Sequence, residues 1–348
     1  MRFSAPADRV LIRSANWVGD VVMSLPAIRA LRARFPHAEL AVLAKPWVAD
    51  LYRHCPEIDE IMIYERDGKH AGIGGLLRLC TELKARRFDV GVSIQNAFEA
   101  ALILWLSRIP VRIGYAADGR SLLLTHRVAR TPSIRRLHQV DYYLKLLEGV
   151  GIPTCGRDIR LVLSEAERRW ATEQLAQWGI SGRQMLCGIN PGAAFGTAKR
   201  WPRDRWIALS KRLLAGGIGS VLVFGSPSES GLGESIAAAV GVGCISLCGK
   251  TDLRQAMALI SACNLFVTND SGLMHVSAGL DVPLVAIFGP TRHDQTSPLS
   301  AKARLIRVPV ACGPCMKPHC PTDHRCMTAV TVDLVWREAM ALLEGARP

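Results

Sequence analysis

Four segments set reactive side chains beside glycines and small polar residues. In Asn16-Trp17-Val18-Gly19-Asp20, the Asp20 carboxylate falls in the first turn of an expected helix, where free N–H groups and the helix dipole keep it ionised. Such a group at a strand edge can take a proton from a held hydroxyl, and Gly19 lets a substrate approach the backbone. The plainer reading of Asp20 is a helix cap. In residues 190–202, NPGAAFGTAKRWP, Gly192, Gly196 and Thr197 lead to Lys199 and Arg200. Backbone amides and a lysine can hold phosphate oxygens there, though the spacing is not that of a nucleotide-hydrolysing loop. The plainer reading is a surface loop with exposed cations. Gly225-Ser226-Pro227-Ser228-Glu229 offers a carboxylate to a ribose diol, or simply an acid at a helix start. Asn269-Asp270-Ser271-Gly272-Leu273-Met274-His275 offers the amides of Ser271 and Gly272 as a diphosphate seat, with Asp270 beside them and His275 one turn on. The Phe288-Gly289-Pro290-Thr291 turn closes another side.

These segments need elements that hold them at one edge. Apolar runs alternate with helix-length stretches throughout. Strands are expected at 9–13, 40–43, 58–63 and 90–93, with helices at 18–35, 75–87 and 98–106 between them. The alternation resumes with strands at 185–189, 220–224, 244–247, 265–268 and 284–288, and helices at 203–215, 229–240, 253–262 and 273–279. Such alternation implies parallel βαβ units, in two successive sets. The glycine- and proline-punctuated stretch 149–165 is the expected join. In open parallel sheets ligands bind beyond the carboxyl ends of the strands, where each of the four segments falls.

With 348 residues, 49% hydrophobic and 21% charged, the chain suits two globular domains. The longest apolar run, 100–107, is far short of a bilayer span, and residues 1–13 lack a signal-peptide core, so a cytoplasmic protein is expected. Formal net charge is +13, shared between the halves: 22 Lys/Arg against 15 Asp/Glu in 1–150, and 21 against 15 in the remainder. Residues 108–136 hold seven arginines against Asp118 alone. An anionic partner (nucleic acid, a membrane face or a phosphorylated substrate) fits this balance, as does a merely solvated basic surface. Aromatic content of 6%, with no basic stripe interleaved with aromatics, argues against nucleic acid.

Eleven cysteines, an odd number spread along the chain, argue for free thiols. Cys312, Cys315, Cys320 and Cys326 form a compact group with His319 and His324 inside it. The first pair has zinc-ligand spacing and the second does not, so a structural zinc and free thiols packing a loop both stand.

Taken in order, residues 16–26, 190–202, 224–227, 267–275 and 288–291 resemble the ADP-heptose:lipopolysaccharide heptosyltransferases, glycosyltransferase family 9, over nearly the whole chain. Within that family the chain looks most like members that add the second heptose. The resemblance implies an α/β fold of two Rossmann-like domains with parallel sheets and a cleft between them, the glycosyltransferase B architecture. Residues 1–155 would bind the acceptor and 156–330 ADP-heptose. Residues 331–348 would form a helix packing back on the N-terminal domain. The implied reaction inverts the anomeric centre and requires no cofactor.

The roles carry over residue by residue. Asp20 is the implied base, and Lys199 stabilises charge on departing ADP. Glu229 binds the ribose. Gly192, Thr197, Gly225, Ser226, Asp270, Ser271, Gly272 and His275 line the donor site, and adenine contacts fall near 250–253. Gly19 and Arg120 face the acceptor, Kdo-lipid A carrying heptose I. The implied protein is a monomer, peripheral at the anionic cytoplasmic face of the inner membrane, with no nucleic acid partner. Two alternatives remain at this stage: a family member acting on a different core acceptor, and a non-catalytic ADP-sugar- or nucleic-acid-binding protein.

Overall fold

The computed structural model describes residues 6–182 and 184–345. The chain divides into two compact units between Ile159 and Arg160, inside an irregular stretch that ends where Ser164 caps the next helix. The N-terminal unit runs β1 (Arg9–Arg13), α1 (Val18–Arg34), β2 (Glu39–Ala44), α2 (Pro46–Ala49), β3 (Glu60–Ile63), α3 (Gly72–Ala85), β4 (Val90–Ser93), α4 (Phe98–Leu106), β5 (Val111–Ala116), β6 (His126–Ala129) and α5 (Gln139–Glu148). The C-terminal unit begins with α6 (Glu165–Gln177), β7 (Leu186–Asn190), α7 (Arg203–Ala215), β8 (Ser220–Val223), α8 (Ser230–Val240), β9 (Cys244–Ser246) and α9 (Leu253–Ser261). It continues through β10 (Leu265–Asn269), α10 (Gly272–Gly279), β11 (Leu284–Phe288), α11 (His293–Thr296), β12 (Ala303–Arg307), α12 (Arg325–Thr328) and α13 (Val332–Gly345).

Each unit holds one six-stranded sheet, ordered β3-β2-β1-β4-β5-β6 and β12-β11-β10-β7-β8-β9. Every pairing is parallel. The two orders are one topology used twice: the first strand of each unit lies beside its fourth. The direction of winding therefore reverses between β1 and β4, and again between β7 and β10. At such a reversal the following loops diverge to opposite faces and leave a crevice at the carboxyl ends.

The central strands are apolar because helices cover both of their faces. Val10, Leu11 and Ile12 of β1 are buried, as are all five residues of β7, β10 and β11. Strands β5, β6 and β12 were not expected from sequence. Each is only partly buried and carries an arginine (Arg112, Arg127 and Arg304), so the continuous apolar run is broken. The last helix, expected on the N-terminal domain, buries Val335, Ala339, Leu342 and Leu343 in the core of the C-terminal unit, with Trp206, Val285 and Ile306.

Helix α6 is fixed by a reciprocal cap: the Ser164 side chain accepts from the Glu167 amide, and Glu167 accepts from the Ser164 amide. Glu167 also forms a two-toothed pair with the buried Arg254 of α9, at 2.6 Å from Nε and 2.6 Å from Nη2. That pair holds the Glu167 carboxyl down to about 2 and ties α6 to α9.

Candidate functional site

The second winding reversal is stitched by two strand-end asparagines. Asn190, the last residue of β7, accepts from the Gly192 amide at 3.1 Å and donates to Ser271 Oγ at 3.3 Å. Asn269, the last residue of β10, donates to the carbonyls of Pro191 (2.8 Å) and Gly192 (3.3 Å) and accepts from the Trp201 amide (3.1 Å). The loops after β7 and β10 thus hold each other. Neither asparagine was singled out from sequence. The available signal was a polar side chain ending an otherwise apolar strand.

Lys199, in a 3-10 turn of the first loop, reaches Asp270 in the second: Nζ lies 2.7 Å from Oδ2. The same oxygen accepts from Thr291 Oγ1 at 2.6 Å, which joins the turn after β11. Beside them, Ser271 caps α10 by accepting from the Met274 amide, so the first amides of that helix face the sheet edge. His275, one turn on, is buried.

On the other side, Glu229 follows β8. Its carboxylate accepts from the Ser226 amide (2.8 Å) and Ser226 Oγ (2.9 Å), and Arg200 approaches to 3.6 Å. Gly192 is required here: a Cβ at that position would lie 2.0 Å from Glu229 Oε1. Gly225 also flanks this carboxylate, and the turn at 250–253 lies beyond β9. The edge formed by β11, β10, β7 and β8 therefore carries, in order, Thr291, Asp270 with Ser271, Lys199 with Gly192, and Glu229. Two cations (Lys199 and Arg200), two carboxylates (Asp270 and Glu229) and a helix N-terminus suit a phosphorylated ligand bearing hydroxyls.

The cysteine-bearing segment packs onto this edge. Pro318 O accepts from the Ala198 amide (3.0 Å), His319 Nδ1 meets Thr197 Oγ1 (3.0 Å), and His324 Nε2 donates to the Ala198 carbonyl (2.7 Å). Gly196 has φ +149, and a Cβ there would strike Pro318 O at 2.2 Å. The segment thus braces the turn that carries Lys199. Burial, and then neighbouring Cys320, Cys312 and Cys315, raise the Cys326 thiol. Among the described residues no group of three or more His, Cys, Asp or Glu is arranged to hold a metal ion. The bracing role comes from Pro318, His319 and His324, which the spacing of the cysteines did not indicate.

In the N-terminal unit, Asp20 sits in the first turn of α1, two residues from the helix start at Val18. Trp17 is the cap residue and makes no side-chain cap bond, so Asp20 has a first turn whose N–H groups favour its charge. Burial, and then the Asp20 carboxylate, push the Tyr143 phenol of α5 well above its ordinary value. Asp20 is therefore flanked by a phenol that stays protonated. Gly19 is buried within the same turn.

Arg120 is 1% exposed, so it is not part of a solvated face. Its Nε donates to the Tyr115 carbonyl (2.7 Å), Nη2 to Asn96 Oδ1 (2.9 Å), and Nη1 reaches Asp118 Oδ2 at 3.4 Å. Its guanidinium holds the loop after β4, next to the first winding reversal. The exposed arginines of the 108–136 window are Arg108, Arg127, Arg135 and Arg136.

Twin six-stranded parallel sheets of Rossmann type are the architecture of the B-class glycosyltransferases. The family model for glycosyltransferase family 9 (heptosyltransferase) matches residues 76–325, and the chain belongs to that family. Lipopolysaccharide heptosyltransferase 2 of Salmonella typhimurium is 37% identical over 311 residues, covering 86% of this chain and 88% of that protein. The protein of the same description from Escherichia coli is 36% identical with the same coverage. The solved structure of E. coli ADP-heptose LPS heptosyltransferase II superposes with a TM-score of 0.83 at 34% identity, covering 97% of this chain and 99% of that one. A family 9 glycosyltransferase of Veillonella parvula reaches 0.91 at 23% identity, covering 99% and 100%, a likeness of fold alone.

Proposed function

We propose that this chain transfers L-glycero-D-manno-heptose from ADP-heptose to heptose I of the lipopolysaccharide inner core. The observation that carries this reading is the C-terminal sheet edge, where Lys199, Asp270, Thr291, the start of α10 and Glu229 surround one anion-ready surface. Identity of 37% to a heptosyltransferase 2 over most of the chain supports that choice of sugar and acceptor.

Asp20 takes the proton from the acceptor hydroxyl as its oxygen attacks the anomeric carbon. The bond from that carbon to the phosphate oxygen breaks, and ADP leaves with the electron pair. Lys199 and the amides of Ser271 and Gly272 stabilise the charge that builds on the leaving phosphate. Attack from the face opposite ADP inverts the anomeric centre. Glu229 receives the ribose hydroxyls, while Gly192, Thr197, Gly225 and Ser226 line the nucleotide and His275 adjoins the heptose. Since protein cations stabilise the leaving group, the chemistry requires no metal.

On the acceptor side, Gly19 leaves room next to Asp20, and Arg120 acts by holding Asn96. The protein works as a monomer at the anionic cytoplasmic face of the inner membrane. Exposed Arg108 and Arg127, with exposed Trp105 and Leu122 in the same stretch of chain, support that placement. None of the helices among the described residues is long and apolar enough to cross a membrane.

The test is a transfer assay with ADP-heptose and Kdo-lipid A acceptors bearing zero, one or two heptoses. Turnover on the one-heptose acceptor alone is expected. Turnover on the heptose-free acceptor would reassign the acceptor, and binding of ADP-heptose without turnover on any of them would make the chain a non-catalytic binder.

A further inference from the structure

The carboxyl ends of β1, β2 and β3 place Arg13, Lys45 and Tyr64 side by side, and the sequence reading singled out none of them. Arg13 is 2% exposed and Lys45 is 4% exposed. Both cations lie at the Tyr64 ring: Lys45 Nζ is 3.9 Å from its centroid and Arg13 Cζ 5.5 Å. The Trp47 ring stands 5.8 Å from the same ammonium.

Buried cations are ordinarily paired with carboxylates. Arg13 instead donates to the Ser14 carbonyl (2.6 Å) and Asn16 Oδ1 (3.0 Å), and its Nε is buried without a hydrogen-bond partner. The nearby Glu99 is already engaged: it accepts from the Tyr64 phenol (3.0 Å) and lies 3.5 Å from Arg66. No ion pair reaches the Lys45 ammonium among the described residues. Burial, and then the like charge of Arg13, lower its pKa, with Glu99 and Asp67 as the opposing carboxylates and Arg66 as a further cation. Two buried cations thus share an aromatic wall, and Glu99 acts on both without an ion pair to either among the described residues.

The position has a consequence. Asn16 accepts from Arg13 at its side chain and from Trp47 Nε1 at its carbonyl (2.8 Å). It belongs to the short loop between β1 and α1, which leads to Asp20. An anion drawn to Lys45 and Arg13 would lie against the loop that carries the base.

We propose that Arg13 and Lys45 form an anion subsite that receives a carboxylate or phosphate group of the acceptor and orients it toward Asp20. This rests on the reading of the N-terminal unit as the acceptor-binding half. Lys45 provides a charge that no ion pair engages among the described residues, Trp47 and Tyr64 the walls, and Arg13 the link to the loop before Asp20.

The test compares wild type with Lys45→Gln and Lys45→Arg in steady-state transfer, varying acceptor and ADP-heptose separately. Loss of one charged contact predicts that Lys45→Gln raises the acceptor KM about tenfold, with a far smaller change in kcat and none in the donor KM. Lys45→Arg restores most of the loss. With an acceptor stripped of phosphate, the difference between wild type and Lys45→Gln vanishes if phosphate is the bound group and persists if a sugar carboxylate is. An unchanged acceptor KM in Lys45→Gln, or a donor KM raised equally, overturns the subsite.

A second measurement separates this from failure of the transferase reading. With ADP saturating the nucleotide site, inorganic phosphate is titrated while tryptophan fluorescence is followed, because Trp47 stands beside Lys45. Saturable quenching in wild type that weakens several-fold in Lys45→Gln supports the subsite even if no heptose is transferred. Identical curves for the two proteins overturn it.

Discussion

Lys199 Nζ lies 2.7 Å from Asp270 Oδ2, and Thr291 donates to that same oxygen from the next strand's turn. The cation that the proposed mechanism assigns to phosphate is held by a carboxylate that is itself 5% exposed. The pair fixes the lysine ammonium at the sheet edge, which would present a charge already in place to a phosphate. It also couples function to folding, since removing either partner strands the other.

Lys199→Ala is expected to lower kcat about 10²–10³-fold, the usual cost of losing a preorganised charge at a leaving group. It also weakens ADP binding. Calorimetric titration with ADP and single-turnover transfer check the two effects separately. Undiminished ADP affinity would remove Lys199 from the phosphate site. Asp270→Asn keeps the shape but frees the lysine, so it should retain ADP binding better than Lys199→Ala does.

Asp20→Asn is expected to slow transfer about 10²–10⁴-fold while ADP-heptose binds as before, because a general base acts on the acceptor alone. A variant that turns over near the wild-type rate would reassign the base. Tyr143→Phe should change the rate far less, since its phenol stays protonated beside Asp20.

His324→Ala removes the donor to the Ala198 carbonyl, one residue before Lys199. A single hydrogen bond of about 1 kcal/mol predicts a donor KM raised about fivefold. The acceptor KM should not move. His324→Gln, which keeps an N–H donor, should recover part of the loss; equal effects on both substrates would point to general loosening instead.

Glu167→Gln breaks the charge pair with Arg254. Arg254 holds the Glu167 carboxyl at about 2, below its ordinary 4.5. A depressed carboxyl stabilises the fold fully above its unfolded value, and that contribution fades as pH falls through the folded one. The variant should lose about 2–4 kcal/mol at pH 7 in urea denaturation. The gap to wild type should close between pH 4.5 and 2; a constant gap over that range would deny the pair its role.

Metal removal should leave the rate unchanged. In the proposed mechanism Lys199 and the α10 amides stabilise the leaving phosphate in place of a divalent ion. Dialysis against EDTA followed by initial-rate measurement checks this, and a rate restored only by added Mg²⁺ or Mn²⁺ would require a different account. Elemental analysis of the same sample reports separately on Cys312, Cys315, Cys320 and Cys326.

The parts of the fold legible in the sequence were those whose burial leaves an unbroken apolar run. Strands β1, β4 and β11 stand at the residues expected, and β7 and β10 within one residue, because central parallel strands have no solvent face on which to carry polar side chains. Strand β6 ends one sheet and β12 the other. Half-exposed, and interrupted by Arg127 and Arg304, they gave no such signal, nor did the internal β5 with Arg112. The outer β3 and β9, by contrast, were expected from their short apolar runs. Motif spacing singled out Lys199, Asp270, Ser271 and Glu229, since glycines and capping residues after strands leave a local mark.

By itself, the sequence determined that small polar and charged residues follow the strands of two parallel βαβ sets, and hence that the candidate site residues lie at strand ends. Those features are local, written in periodicity and turn chemistry over a few residues. Only the tertiary structure decided which strand ends are neighbours. Placing β10 beside β7 brings Asp270 to Lys199 across 71 positions of chain, and folding β5 back toward α4 turns Arg120 inward to Asn96. It also set Lys45 and Arg13 at one aromatic ring, that of Tyr64. Such pairings depend on sheet order, a property of long-range packing that no local pattern encodes.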